Sequence, residues 1–213
     1  MLVSCWSVKG GSGTTVVAAA LALLAADRSG ALLADLAGDA PAVLGVPEPA
    51  GPGLTGWLSA GDDVEAAALT RLEIQVTPRL SLLHRGDAGP ARPGRAGTLA
   101  AALAADERTA VVDAGLARGA AREIVASSTA SLLVLRPCYL ALRRAVTAPV
   151  RPSGVVLVVE PMRSLRRRDI EDVLGVPVVA EVPVDPAIAR LVDAGLLASR
   201  LPSTLARPLR RAA

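Results

Sequence analysis

The sequence predicts an α/β fold of three layers, a mostly parallel central sheet flanked by helices. Three observations carry that expectation. Short apolar segments of strand character alternate with helical patterns along the 213-residue chain, as successive βαβ units do. The first strand pattern runs through a glycine-rich turn directly into a long apolar helix pattern. Three stretches that could carry chemistry, Lys9–Thr15, Asp35 and Asp113, all fall where a strand pattern ends. In parallel sheets that is the ligand side.

Taken in order, Leu2–Trp6 reads as a strand and Val16–Arg28 as a helix stopped by Ser29-Gly30. Ala31–Leu36 reads as a buried strand carrying Asp35 near its end, the near-continuous apolar run of a sheet covered on both faces. Gly38–Gly61 is rich in Gly and Pro, with short helical patches at Ala42–Leu44 and Thr55–Ser59. It is either a loop on the ligand side or a surface excursion. Val64–Leu72 reads as a helix, Leu80–His84 as a strand, Gly86–Gly97 as a flexible loop and Thr98–Ala105 as a helix. Strands at Thr109–Asp113, Ser131–Arg136, Gly154–Val159 and Val176–Val182 then alternate with helices at Ala120–Ala126, Leu140–Thr147, Leu165–Leu174 and Pro186–Ala194. No repeat and no domain-splitting linker is evident. Residues 1–200 are expected to form one domain, and 201–213 a short basic tail.

Composition narrows the function classes. Hydrophobic residues make up 52% of the chain, enough for a packed core. No Phe and a single Tyr, Tyr139, argue against a stacking platform for single-stranded nucleic acid. Cys5 and Cys138 sit in unrelated places and read as free thiols rather than a disulfide or a metal site. No cationic leader precedes an apolar segment, and the longest apolar run is too short to span a bilayer. A cytoplasmic protein is expected, with peripheral contact at the inner face of a membrane as one option. The charge excess of +3 is carried by Arg, and Lys9 is the chain's single lysine.

The segment Ser7-Val8-Lys9-Gly10-Gly11-Ser12-Gly13-Thr14-Thr15 is the chemical centre of this reading. Strand, glycine turn and helix start bring backbone N–H groups and the positive end of the helix dipole onto one anion, such as a phosphate. Glycines let the main chain curl without Cβ clashes. The usual pattern ends in Gly-Lys-Ser/Thr, whereas Thr14 stands in the Lys slot here. A lone ammonium at Lys9, inside the same loop, suits a phosphate contact.

These residues resemble the deviant Walker A of the MinD/ParA-type P-loop ATPases, K-G-G-x-G-K-[ST], with Lys9 at the signature lysine. Further stretches are similar to the same family: Leu32–Leu36 to its first-switch strand and Ala110–Gly115 to its second-switch strand. Leu133–Arg144 resembles its V-x-R-P segment, and Val182–Pro186 with Val192–Gly195 its late P-x-D-P and D-A-G region. Within the family the chain looks most like the septum-site or pilus-assembly branch of CpaE/TadZ-like proteins, of actinobacterial type. The resemblance implies ATP and Mg²⁺ as cofactors and a homodimer with nucleotide sandwiched between subunits. It implies protein partners in septum or pilus/secretion machinery. Lys9, Gly10, Gly11, Ser12, Gly13, Thr14 and Thr15 would surround the phosphates, with Pro183 and Asp185 beside the nucleotide. Thr15, Asp35 and Asp113 would serve the metal, and Lys9, Asp35 and Asp39 would be the catalytic set.

Three departures all fall at the chemistry. Thr14 replaces the lysine that bridges the β- and γ-phosphates, a loss of about 3 kcal/mol in the transition state. Asp35-Leu36-Ala37 lacks the second carboxylate of the family's D-x-D; Asp39 is either its substitute or a solvated loop residue. Glu160-Pro161 stands where the family reads adenine with Asn. The expectation is nucleotide binding with degenerate hydrolysis, set against a nucleotide-free scaffold or a DNA-binding partition protein. Arg166-Arg167-Arg168 is either a polyanion patch or a solvated helix start. Leu201, Leu205 and Leu209 with Arg207, Arg210 and Arg211 form a faint membrane-facing stripe, damaged by Pro202 and Pro208. His84 reads as structural. Trp57 is either a loop anchor or a contact surface.

Overall fold

The computed structural model describes residues 1–61 and 64–212. The element order is β1 (Leu2–Trp6), α1 (Thr14–Ser29), β2 (Ala31–Asp35), α2 (Ala40–Leu44) and α3 (Gly53–Ser59). A 3₁₀ helix (Ala66–Leu72) leads to β3 (Glu73–Thr77), β4 (Leu80–Leu83), α4 (Arg95–Ala105), β5 (Thr109–Asp113) and α5 (Ala120–Ala126). Then come β6 (Ala130–Leu135), α6 (Tyr139–Val146), β7 (Gly154–Val159), α7 (Arg167–Leu174), β8 (Val178–Pro183), α8 (Pro186–Asp193) and α9 (Ser203–Leu209).

The strands form one sheet in the order β3-β4-β2-β5-β1-β6-β7-β8, parallel except for β3 at one edge. Alternation along β1 divides the core. Val3 and Cys5 face a layer built from α1, α2, α8 and α9, whereas Leu2 and Trp6 face one built from α3 to α7. Helix α1 is apolar on every side and buried from Val17 to Ala26, as a helix enclosed by its own domain must be. Its run of alanines lets it lie close over the sheet. The three-layer expectation is met.

Differences from the sequence reading have local causes. Glu73–Thr77 reads as no element, yet this half-buried segment pairs antiparallel with β4 through Glu73–Leu83 and Gln75–Ser81. The helix expected at Val64–Leu72 is a 3₁₀ turn beginning at Ala66. Helix α4 begins at Arg95 rather than Thr98, entered through Gly94 at φ 81°, so the flexible loop is shorter. The expected basic tail is largely helix α9. Leu205 and Leu209 are fully buried against α1 and β8. That overturns their assignment to a membrane-facing stripe: the core takes them. Pro202 precedes the helix, where no amide bond is lost, and Pro208 lies in its last turn.

Trp57 is a loop anchor. It is 3% exposed, its indole N–H donates to the Glu65 carbonyl at 3.2 Å, and the Arg95 guanidinium stacks 3.6 Å above its ring. Arg95 Nη1 and Nη2 donate to the Val64 and Trp57 carbonyls at 2.9 and 3.0 Å. His84 is buried, as a structural role requires. At the opposite layer, α2 and α8 end against each other: a Cβ on Gly45 would lie 1.8 Å from the Gly195 carbonyl oxygen.

Candidate functional site

The loop between β1 and α1 is tied down at both ends. The Ser7 amide donates to the Gly115 carbonyl at 2.8 Å, pinning it to the chain leaving β5. Inside the loop, the Ser12 hydroxyl donates to the Lys9 carbonyl at 2.7 Å. Gly11 and Gly13 adopt φ 72° and 87°, backbone that L side chains rarely take. A Cβ at Gly10, Gly11 or Gly13 would meet nothing within 4 Å, so the loop opens onto free space. The first intrahelical bond of α1 runs from Val17 to the Gly13 carbonyl at 3.0 Å. The amides before Val17 are therefore left for a ligand. The resulting cleft holds about 300 Å³ and is bounded by Gly10–Val16, Asp39, Gly115 and Leu116 among others.

Asp35 and Asp113 end neighbouring strands in register, yet they do different jobs. Asp35 Oδ1 accepts from the Ala37 and Gly38 amides at 2.9 and 2.7 Å, and Oδ2 from Ala40 at 3.0 Å. Three of this buried carboxylate's acceptor positions go to the turn into α2. Asp113 Oδ1 accepts from Gly115 at 3.1 Å, but Oδ2 is buried without a hydrogen-bond partner. Burial pushes the Asp113 carboxyl up to about 6, helped by the negative charges of Asp35 and Asp39 and opposed by the nearby Thr15 hydroxyl. Asp39 is exposed at the rim of the cleft and caps nothing with its side chain.

An orphaned, buried carboxylate oxygen beside a hydroxyl is a donor set for a hard divalent cation. Thr15 and Asp113 thus fit Mg²⁺, with phosphate oxygens and water supplying the remaining ligands. Thr14 lines the same cleft and is 7% exposed; it brings a hydroxyl where a cation would be needed. Lys9 is exposed at the loop's outer edge and does not line the cleft.

Beside the cradle lies a second, mostly apolar cleft of about 260 Å³, joined to it at Gly13 and Val16. Val158, Val182, Pro183 and Ile188 wall it, and Arg136 stands at its edge. Asp185 also lines it, but its carboxylate is engaged: Oδ1 accepts from the Ala187 amide at 2.8 Å and Oδ2 from the Thr204 hydroxyl at 3.2 Å. It starts α8 and ties it to α9. Glu160 bridges Arg136 and Arg163 at 2.8 and 2.5 Å, and those guanidinium groups hold its carboxyl below the usual range. Sequence reasoning passed over Arg136, although its place at the end of a strand pattern marks it.

In the exposed Arg166–Arg168 run, Arg167 is held in ion pairs and Arg166 starts the helix through its backbone. The Arg166 amide donates to Asp169 at 2.7 Å, and Arg167 pairs with Glu171 and Glu181 at 3.1 and 3.5 Å. No helix among the described residues is long and apolar enough to cross a membrane.

Neither protein-family profiles nor curated protein sequences gave a match. Solved structures do. A ParA family ATPase from Chlorobium tepidum TLS superposes with a TM-score of 0.81 at 21% identity, over 98% of this chain and 96% of that one. The septum site-determining protein MinD from Pyrococcus horikoshii OT3, complexed with Mg-ADP, gives 0.78 at 20% identity over 99% and 93%. The cell division ATPase MinD of Pyrococcus furiosus gives 0.74 at 24% identity, over 100% and 99%. The fold of this chain is the fold of the ParA and MinD ATPases.

Proposed function

We propose that this chain is a P-loop protein of the MinD/ParA type that binds Mg²⁺-ATP and hydrolyses it very slowly or not at all. The observation that carries the reading is the open glycine cradle facing the Thr15 hydroxyl and the unpartnered Asp113 Oδ2. Cradle amides, helix dipole and Mg²⁺ supply binding without any lysine in the cleft. The apolar cleft walled by Pro183 would take the base. Hydrolysis suffers because Thr14 brings no charge to the transferring phosphoryl group and Asp35 is engaged by three amides of its own turn. Asp39 is the one carboxylate left at the rim to orient water.

Lys9, projecting from the loop, would reach the nucleotide of a second subunit in a sandwich dimer. The dimer would position partners of a septum or pilus/secretion apparatus, at the inner face of the membrane or in the cytoplasm. The rival reading is a nucleotide-free scaffold, favoured by the same Thr14 and Asp35 observations.

Titration calorimetry with MgATP separates the two: a saturable heat lost in Asp113→Ala supports binding, and no heat at millimolar nucleotide leaves the scaffold. Light scattering then tests the dimer. Nucleotide should shift the wild type to twice its mass, and Lys9→Ala should remain monomeric.

A further inference from the structure

On the face opposite α1, two clefts meet at Arg118 and Gly119, which line both. The larger, of about 520 Å³, carries Arg118, Arg122 and Arg144 over a floor of Trp6 and Val8. The other, of about 430 Å³, adds Arg85 beside Leu58 and Pro90. The four arginines come from four separate places: the chain after β4, the chain after β5, helix α5 and helix α6. No carboxylate lines either cleft. None of the four appears among the ion pairs of the described residues, whereas Arg108, Arg136, Arg163 and Arg167 are all paired. Asp87 and Glu123, their nearest acidic neighbours in sequence, lie outside the walls.

We infer that these joined clefts are a docking groove for an extended acidic peptide segment of a partner protein. Unpaired guanidinium groups spaced along a concave path match successive carboxylates, and each offers a planar fork to them. Apolar side chains stand among the arginines, Val8, Leu58, Leu116 and Pro90, which suits a peptide with hydrophobic residues between its acids. A duplex would present a convex, uniformly charged rod with no use for such side chains.

The test is fluorescence anisotropy with a labelled peptide of repeated Glu-Asp-Leu, alongside its Gln-Asn-Leu counterpart. The acidic peptide should bind saturably and weaken as salt rises, and the neutral one should not bind. Arg118→Glu with Arg122→Glu and Arg144→Glu should weaken binding at least about tenfold, with the thermal transition retained. The exposed Arg200→Glu control should bind as wild type does. Equal affinity for both peptides, equal loss in the control, or tighter groove-dependent binding of duplex DNA would overturn the inference. Because nucleotide is absent from the assay, its result is independent of whether ATP binds.

Discussion

Asp113→Asn should stabilise the ligand-free protein. In the wild type, burial raises this carboxyl from 3.8 to about 6. A carboxyl with a raised folded-state value favours folding below its unfolded value, and that advantage is lost as pH climbs through the folded one. Across the 3.8-to-6 window the shift corresponds to about 3 kcal/mol, all of it lost by about pH 8 and about half of it by pH 5. The amide keeps an oxygen for the Gly115 N–H and places its NH₂ where the orphaned Oδ2 now lies, next to Thr15. Removing the charge should therefore raise the melting temperature by roughly 6–12 °C near pH 8, for a chain of this size. The gain should be about half as large near pH 5. Calorimetric melts without nucleotide or Mg²⁺ measure it. A variant that melts lower at pH 8, or whose gain does not depend on pH, would refute the view that Asp113 is an uncompensated charge awaiting a cation. With MgATP present the order should reverse, because the wild type then gains ligand stabilisation that the amide cannot match.

Thr14→Lys should raise MgATP turnover about 100-fold by returning a fixed cation to the transferring phosphoryl group, read as phosphate release; an unchanged rate would place the defect elsewhere. Leu205→Ala should cost about 3 kcal/mol in urea denaturation because it empties a core site, whereas a solvated tail would lose less than about 0.5 kcal/mol. Arg95→Ala should cost about 3 kcal/mol by stripping two carbonyls of their donors and Trp57 of its stacking partner. Arg95→Met, which keeps the stem, should cost about half of that.

Most of the architecture was legible because parallel strands buried on both faces read as uninterrupted apolar runs, and the connecting helices carry their own stop signals. Glu73–Thr77 was not, although Glu73-Ile74-Gln75-Val76-Thr77 alternates strictly, because five residues directly after a helical pattern read as part of the connection to Leu80–His84. Helix α9 was obscured by two prolines whose effect depends on position within the helix, and by leucines whose partners on α1 lie far away in sequence. At the site, the glycine loop, Thr15 and Asp113 followed from residue order, because a strand–turn–helix is a local object. The occupation of Asp35 by three amides was hidden, as a carboxylate at a strand end looks the same whether it faces a ligand or its own turn. The arginine groove was hidden too, being assembled from positions between 85 and 144.

The touching glycines at the ends of α2 and α8 have a mechanical consequence. Helix α2 starts one residue after Asp39, at the phosphate cleft, and α8 starts one residue after Asp185, at the apolar cleft. With Gly45 backbone pressed on Gly195 backbone, the far ends of these two helices share a pivot that no side chain cushions. A shift of α2 at the phosphate cleft would press on the end of α8 through that contact. A methyl group at Gly45 would wedge the two helix ends apart without replacing any residue that lines either cleft.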